Sequence, residues 1–225
     1  MGNTVGSSNS NFCNFKKDPH HAYILGLWCA DGYHRSSSIG LSSINREMIR
    51  IFSKFLITIL NKERLRLRIY HSKIITNSLV LPIKISKDQT SNLVSKKSSH
   101  TAYHVYVNCR PLLREFVKEK LAEKVFGNDT ISWAYLAGRF DGDGSVDKNL
   151  RNDLRIVYSN LDDAEKDYDL IKSLGLLSTK IYRYRTSNTY CIYISRYESV
   201  EFIKNISPYS VKLQKLEFEP RRDLV

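Results

Sequence analysis

The strongest constraint on this chain is a nine-residue stretch that occurs twice. Leu136–Gly144 reads LAGRFDGDG, and Ile24–Gly32 reads ILGLWCADG. Gly26 and Gly138, Asp31 and Asp143, and Gly32 and Gly144 are each 112 residues apart. A repeat of that period predicts two similar halves of roughly 100 residues each. Residues four apart share a helix face, so Gly26 stacks with Ala30 and Gly138 with Gly142. Small residues along one stripe let two helix backbones approach closely. The pattern therefore predicts two motif helices packed on each other, with Asp31 and Asp143 emerging side by side at the end of the seam. Two carboxylates at adjacent helix C-termini repel each other and the helix dipoles. A cation belongs between them, and a hard divalent metal with oxygen ligands suits the place.

Leu136–Gly144 resembles the motif of the LAGLIDADG homing endonucleases, and Ile24–Gly32 keeps Gly26, Leu27, Ala30, Asp31 and Gly32 of it. Two copies in one chain are similar to the single-chain branch of that family, and the resemblance covers about residues 20–215. It implies an α+β fold: two pseudo-symmetric αββαββα halves, motif helices packed at the centre, and antiparallel sheets forming a saddle on DNA. It implies that Asp31 and Asp143 are catalytic metal ligands, one for each DNA strand. Carbonyls of Ala30 and Gly142 would add oxygens to Mg²⁺ or Mn²⁺. Lys212, four residues past Pro208, fits the lysine that the family places after the last helix of a repeat. Lys148, in the strand after the second acid, is the other candidate to reach the scissile phosphate. Ser43 and Ser159 stand where the family often has glutamine. Asp141 aligns with Cys29 in the first copy, so it reads as a structural acid rather than a ligand.

Periodicity alone leads to the same element order. Residues 1–18, rich in Ser and Asn, read as a disordered tail, followed by an N-terminal half (19–127) and a C-terminal half (128–225). The first half opens with a helix at about His20–Asp31, a polar turn at Tyr33–Ser38, a strand at Ile39–Ser43 and an amphipathic helix capped by Asn45. Arg64–Tyr70 alternates strictly, turning Leu65, Leu67 and Ile69 inward and Arg64, Arg66 and Arg68 outward. Ser72–Thr101 reads as an insertion with one strand at Leu79–Ile85 and a mobile loop carrying Lys96 and Lys97. Tyr103–Val107 is a strand, and Pro111 opens a helix to about Phe126, ended by Gly127. The second half repeats this: a motif helix (131–143), strands Ser145–Leu150 and Leu154–Ser159, and a helix at Asp163–Leu174. A hairpin of Lys180–Arg185 and Tyr190–Ser195 and a helix (197–206) follow.

A net charge of +12, from 35 basic and 23 acidic residues, attracts polyanions, either nucleic acid or an anionic membrane. No apolar run reaches the length of a membrane span, and no secretory signal is visible. Cys13, Cys29, Cys109 and Cys191 are scattered, which argues against a zinc knuckle or disulfide framework and for a reducing, intracellular compartment. Arg35, Arg66, Arg68, Tyr70, Arg155, Tyr182, Arg183, Tyr184 and Arg185 are the candidate DNA contacts, because arginine pairs bidentately with guanine in the major groove. The expected protein is a monomeric, intron-encoded DNA endonuclease acting on a long, partly asymmetric duplex site. The alternative is an RNA-binding intron maturase on the same fold, with its own intron RNA as partner.

Overall fold

The computed structural model describes residues 12–71, 82–94, 100–146 and 153–215. The first half runs α1 (Pro19–Asp31), β1 (Gly32–Arg35), β2 (Ser38–Ser43), α2 (Arg46–Ile59), β3 (Arg66–His71), β4 (Thr90–Val94), β5 (Ala102–Asn108) and α3 (Arg110–Leu121). The second runs α4 (Asp129–Asp143), β6 (Gly144–Val146), β7 (Leu154–Tyr158), α5 (Leu161–Ser173), β8 (Lys180–Tyr184), β9 (Thr189–Ile194) and α6 (Arg196–Ile206). The sheets are ordered β1-β2-β5-β3-β4 and β6-β7-β9-β8. Without β4 the two orders are equivalent, so the repeat in sequence is a repeat in topology. The α+β architecture and the αββαββα order expected from the residues are both present.

Helix starts follow capping chemistry. The Asp18 side chain accepts from His20 N and His21 N ahead of Pro19, and Asn45, Asn128 and Asn160 accept from Glu47 N, Ile131 N and Asp163 N. Each cap satisfies a backbone donor that the first turn leaves unpaired. Helix α4 is buried on every side from Ile131 to Asp141, as a helix at the centre of a fold must be. It packs along α1. A Cβ on Gly26 would stand 2.0 Å from the Tyr135 carbonyl oxygen, and one on Gly138 would stand 2.1 Å from that of Tyr23. Only hydrogen fits at these two places, and the backbones therefore touch.

Several local expectations need correction. Residues 12–18 are anchored, not a loose tail: Phe15 is buried against Phe116 at 4.8 Å between ring centroids, and the Glu115 carboxylate accepts from Phe12 N and Cys13 N. Residues 1–11 lie outside the described residues. Tyr33–Arg35 belong to β1 rather than to a turn, paired with β2 around Ser36, whose φ is 57°. Arg64 precedes β3, in a 3₁₀ turn, and donates to the Asn108 carbonyl. Residues 82–85 form no strand, and the remainder of Leu79–Ile85, like Lys96 and Lys97, lies outside the described residues. Instead Thr90–Val94 adds a parallel strand beside β3. Helix α3 stops at Leu121 rather than Phe126, and Arg185 falls in the β8–β9 turn.

Candidate active site and nucleic-acid interface

Asp31 and Asp143 are each the last residue of a motif helix, and a strand starts at the next residue. Gly32 and Gly144 have φ of −66° and −83°, so neither adopts the left-handed turn usual for a glycine at a helix end. They are small for want of room. A Cβ on Gly32 would meet Trp28 O at 2.0 Å, and one on Gly144 would meet Phe140 Cδ2 at 2.3 Å. A Cβ on Gly142 would lie 2.2 Å from Ala30 Cβ and 3.6 Å from Asp31 Cγ. Asp31 thus rests against the end of the opposite helix, beside its twin.

Electrostatics follow from that proximity. Burial, and then the Asp143 carboxylate, push the Asp31 carboxyl up to about 6, while Lys212 and Arg139 pull the other way. Burial also raises Asp143, opposed by Arg139, Lys212 and Lys120. No described residue donates a hydrogen bond to either carboxylate; Arg139 Nη1 lies 3.7 Å from Asp143 Oδ2, an ion pair. Two partly buried acids with unfilled oxygens fit a hard divalent cation, which needs few carboxylates and keeps several waters. Among the described residues no group of three or more His, Cys, Asp and Glu side chains is placed to hold a metal.

Lys212 reaches the site from the segment after α6. Its Nζ donates to the carbonyls of Phe140 (3.2 Å), Gly142 (3.0 Å) and Gly144 (2.8 Å). A cation at a helix C-terminus satisfies carbonyls that have no partner within the helix. The Gly142 carbonyl is therefore already engaged by Lys212. Asp141 builds this arrangement. Its carboxylate, 1% exposed, accepts from Tyr23 OH (2.7 Å), Ser210 Oγ (2.6 Å), Val211 N (2.7 Å) and Lys212 N (3.1 Å). A buried carboxylate needs such a shell. Lys148 lies outside the described residues.

A cavity flanks each acid. One of about 500 Å³ is lined by Asp31, Lys212, Ser42 and Ser43. The other, of about 380 Å³, is lined by Asp143, Arg139, Lys120 and Ser159. Ser43 and Ser159 thus occupy matching places beside the two acids, but the cations differ. Arg139, Lys120 and Asp167 escaped the reading of the sequence. The available signal was a single arginine inside the apolar run 131–140.

The sheet face away from the helices carries the polar rows. Leu41, Val105 and Leu67 are in register and buried, so the neighbouring row Ser42, His104 and Arg68 points the other way. Ser42 Oγ lies 2.6 Å from His104 Nδ1, and burial followed by Arg68 depresses the His104 imidazole to about 4. Arg68 stacks 4.8 Å from the Tyr106 ring centroid, and Tyr70 is half-buried two residues on. Arg66 is exposed but bends back to the carbonyls of Glu63 and Leu65, and Arg35 is exposed on β1. In the second sheet Tyr193 is the register partner of both Arg155 and Lys180, and Tyr182 and Tyr184 lie on that same face, 45% and 43% exposed. Arg183 does not share their face. Its register partner is Tyr190, in the row that faces with Ile181, and it donates to Asn188 Oδ1. Period-two alternation separates it from the tyrosines on either side.

No protein-family model and no curated protein matches the chain. Solved structures do. I-DmoI in complex with DNA and Mn is 17% identical with a TM-score of 0.54, covering 86% of this chain and 97% of that one. The homing endonuclease I-WcaI bound to its DNA recognition sequence is 12% identical with a TM-score of 0.58, covering 96% and 97%. The N-terminal LAGLIDADG domain of DUF199/WhiA is 17% identical with a TM-score of 0.51, covering 92% and 90%. At such identities the likeness is one of fold. The chain has the LAGLIDADG fold of the homing endonucleases, as its repeated motif implied.

Proposed function

We propose that this chain is a site-specific DNA endonuclease of the homing type that cuts both strands of a duplex with Mg²⁺ or Mn²⁺. The observation that carries the reading is the meeting of Asp31 and Asp143 at the ends of two backbone-packed helices, each beside a cation. Structural neighbours bound to DNA with Mn, and to target DNA with Mg, support the partner and the cofactor. Asp31 and Asp143 would hold the metal, with the Ala30 carbonyl and the Gly142 carbonyl, which Lys212 also engages, as further oxygens. A bound divalent ion activates a water and neutralises charge gathering on the phosphate. Lys212 keeps its ammonium within reach of that phosphate, and Lys148, five positions after Asp143 in the sequence, is the other candidate. The halves 19–127 and 128–225 each supply one acid and one sheet. Arg35, Arg66, Arg68, Tyr70, Arg155, Tyr182, Tyr184 and Arg185 are the candidate contacts to a long, partly asymmetric duplex site, bound by a monomer. The net charge of +12 draws that duplex in.

The test is selection of cleaved sites from a randomised duplex library with Mg²⁺, with metal omitted as the control. Asp31→Asn or Asp143→Asn should each abolish double-strand cleavage while the selected duplex is still bound. Undiminished double-strand cutting by either variant refutes the assignment. Tighter binding to structured intron RNA than to any duplex, without cleavage, would point to the maturase reading instead.

A further inference from the structure

The two motif helices differ at one buried position. Arg139 stands 112 residues after Leu27, and the two side chains are 2% and 0% exposed. An arginine so enclosed is tolerated only when its charge is matched. Arg139 Nε donates to Asp167 Oδ2 at 2.9 Å, and the same carboxylate accepts from Tyr135 OH (2.7 Å) and Tyr158 OH (2.9 Å). The guanidinium lies 4.5 Å from the Tyr158 ring centroid. One edge of the guanidinium is therefore tied to α5. The other edge is not tied: Nη1 is buried with no hydrogen-bond partner and lies 3.7 Å from Asp143 Oδ2. That distance is an ion pair and not a hydrogen bond. Both side chains open on the 380 Å³ cavity.

We infer that Arg139 is a positioning residue for one cleavage centre only. Held from behind by Asp167, it fixes the Asp143 carboxylate through Nη1. Cutting at the Asp143 centre thereby depends on an ion pair that the Asp31 centre lacks, since Leu27 can make none and Lys212 acts on both acids alike. The inference rests on the nuclease reading above and makes the two centres separable. Weakening the Arg139 link converts a double-strand cutter into an enzyme that leaves a nick.

The experiment uses a duplex carrying a site selected with the wild-type chain, with each strand end-labelled in turn, under single-turnover conditions in Mg²⁺. Asp143→Asn identifies the strand cut at that centre. Arg139→Leu strands the Asp167 carboxylate, so Arg139→Leu/Asp167→Asn is made beside it to keep the fold, and Arg139→Lys retains the charge. The expected result is a loss of about tenfold or more on the Asp143 strand. The other strand should stay within about twofold, and Arg139→Lys should recover part of the loss. In the metal-free protein, Arg139→Leu/Asp167→Asn and Asp143→Asn should shift the urea midpoint non-additively when combined, as contacting groups do. Equal slowing of both strands, an unchanged ratio, or additive midpoints overturns the inference while leaving the nuclease reading intact. A wild-type chain that cuts no duplex overturns both.

Discussion

Replacing Gly138 by alanine tests the central helix contact more severely than any change at the acids. The new methyl would land 2.1 Å from Tyr23 O and 2.6 Å from Leu27 N, where a favourable contact needs about 3.5 Å. Both obstacles are backbone, so no rotamer relieves them and α1 must move off by roughly 1 Å. Alanine gains about 1 kcal/mol over glycine in a helix interior. Overpacking a tight contact costs about 1–3 kcal/mol, and displacing a helix pair that spans the core falls at the top of that range. The net expectation is a loss of about 2 kcal/mol, a fall in Tm of about 4–8 °C for a chain of this size. Cleavage should fall further than stability, because the shift carries Asp31 away from Asp143. Gly26→Ala meets Tyr135 O at 2.0 Å and should behave alike. The double variant should lose less than the sum, since the first methyl already parts the helices. Thermal unfolding followed by circular dichroism reads all three. An alanine at 138 that leaves Tm unchanged or raises it would disprove the backbone contact.

Other expectations concern the acids and their supports. The Asp31 carboxyl is raised to about 6 in the folded chain, above its ordinary value, so the folded state binds the extra proton between roughly pH 4 and 6. This contribution favours the fold below pH 4 and is lost as pH rises through 6. Asp31→Asn should therefore stabilise the metal-free protein more at pH 8 than at pH 4, by on the order of 1–3 kcal/mol, as urea unfolding at the two pH values will report. Asp141→Ala strips the acceptor from Tyr23, Ser210 and Val211 and should cost about 2–4 kcal/mol in urea unfolding. Lys212→Met leaves that shell in place and should instead reduce cleavage with a smaller loss of stability, measured side by side. Tyr182→Ala, on an exposed strand position, should weaken duplex binding in a gel shift without moving Tm by more than about 2 °C. Arg183→Ala, on the opposite face, should leave duplex binding nearly unchanged.

Local rules determine much of this molecule. Small residues spaced by four, twice over (Gly26 and Ala30, Gly138 and Gly142), required two helices in backbone contact, and Gly26 and Gly138 make that contact. Alternation in Leu65, Leu67 and Ile69 required a half-buried strand, and all three are buried. These features were legible because period and side-chain size act within a few residues. Tertiary structure decided the rest. The rule that turns Leu67 inward also divides Arg183 from Tyr182 and Tyr184, yet only the pairing of β8 with β9 says which side is solvent. Residues 12–18 look like a tail by composition, but Glu115, 102 positions from Cys13, binds their backbone. Arg139 looks like a flaw in an apolar run until Asp167 and Asp143 close around it. Its partners lie 28 residues away and one helical turn away, and a charge inside a core is stable only where such distant groups converge. Spacing within the motif specified where the acids would meet. Long-range pairing chose the cations that stand beside them, and gave only Asp143 an ion pair.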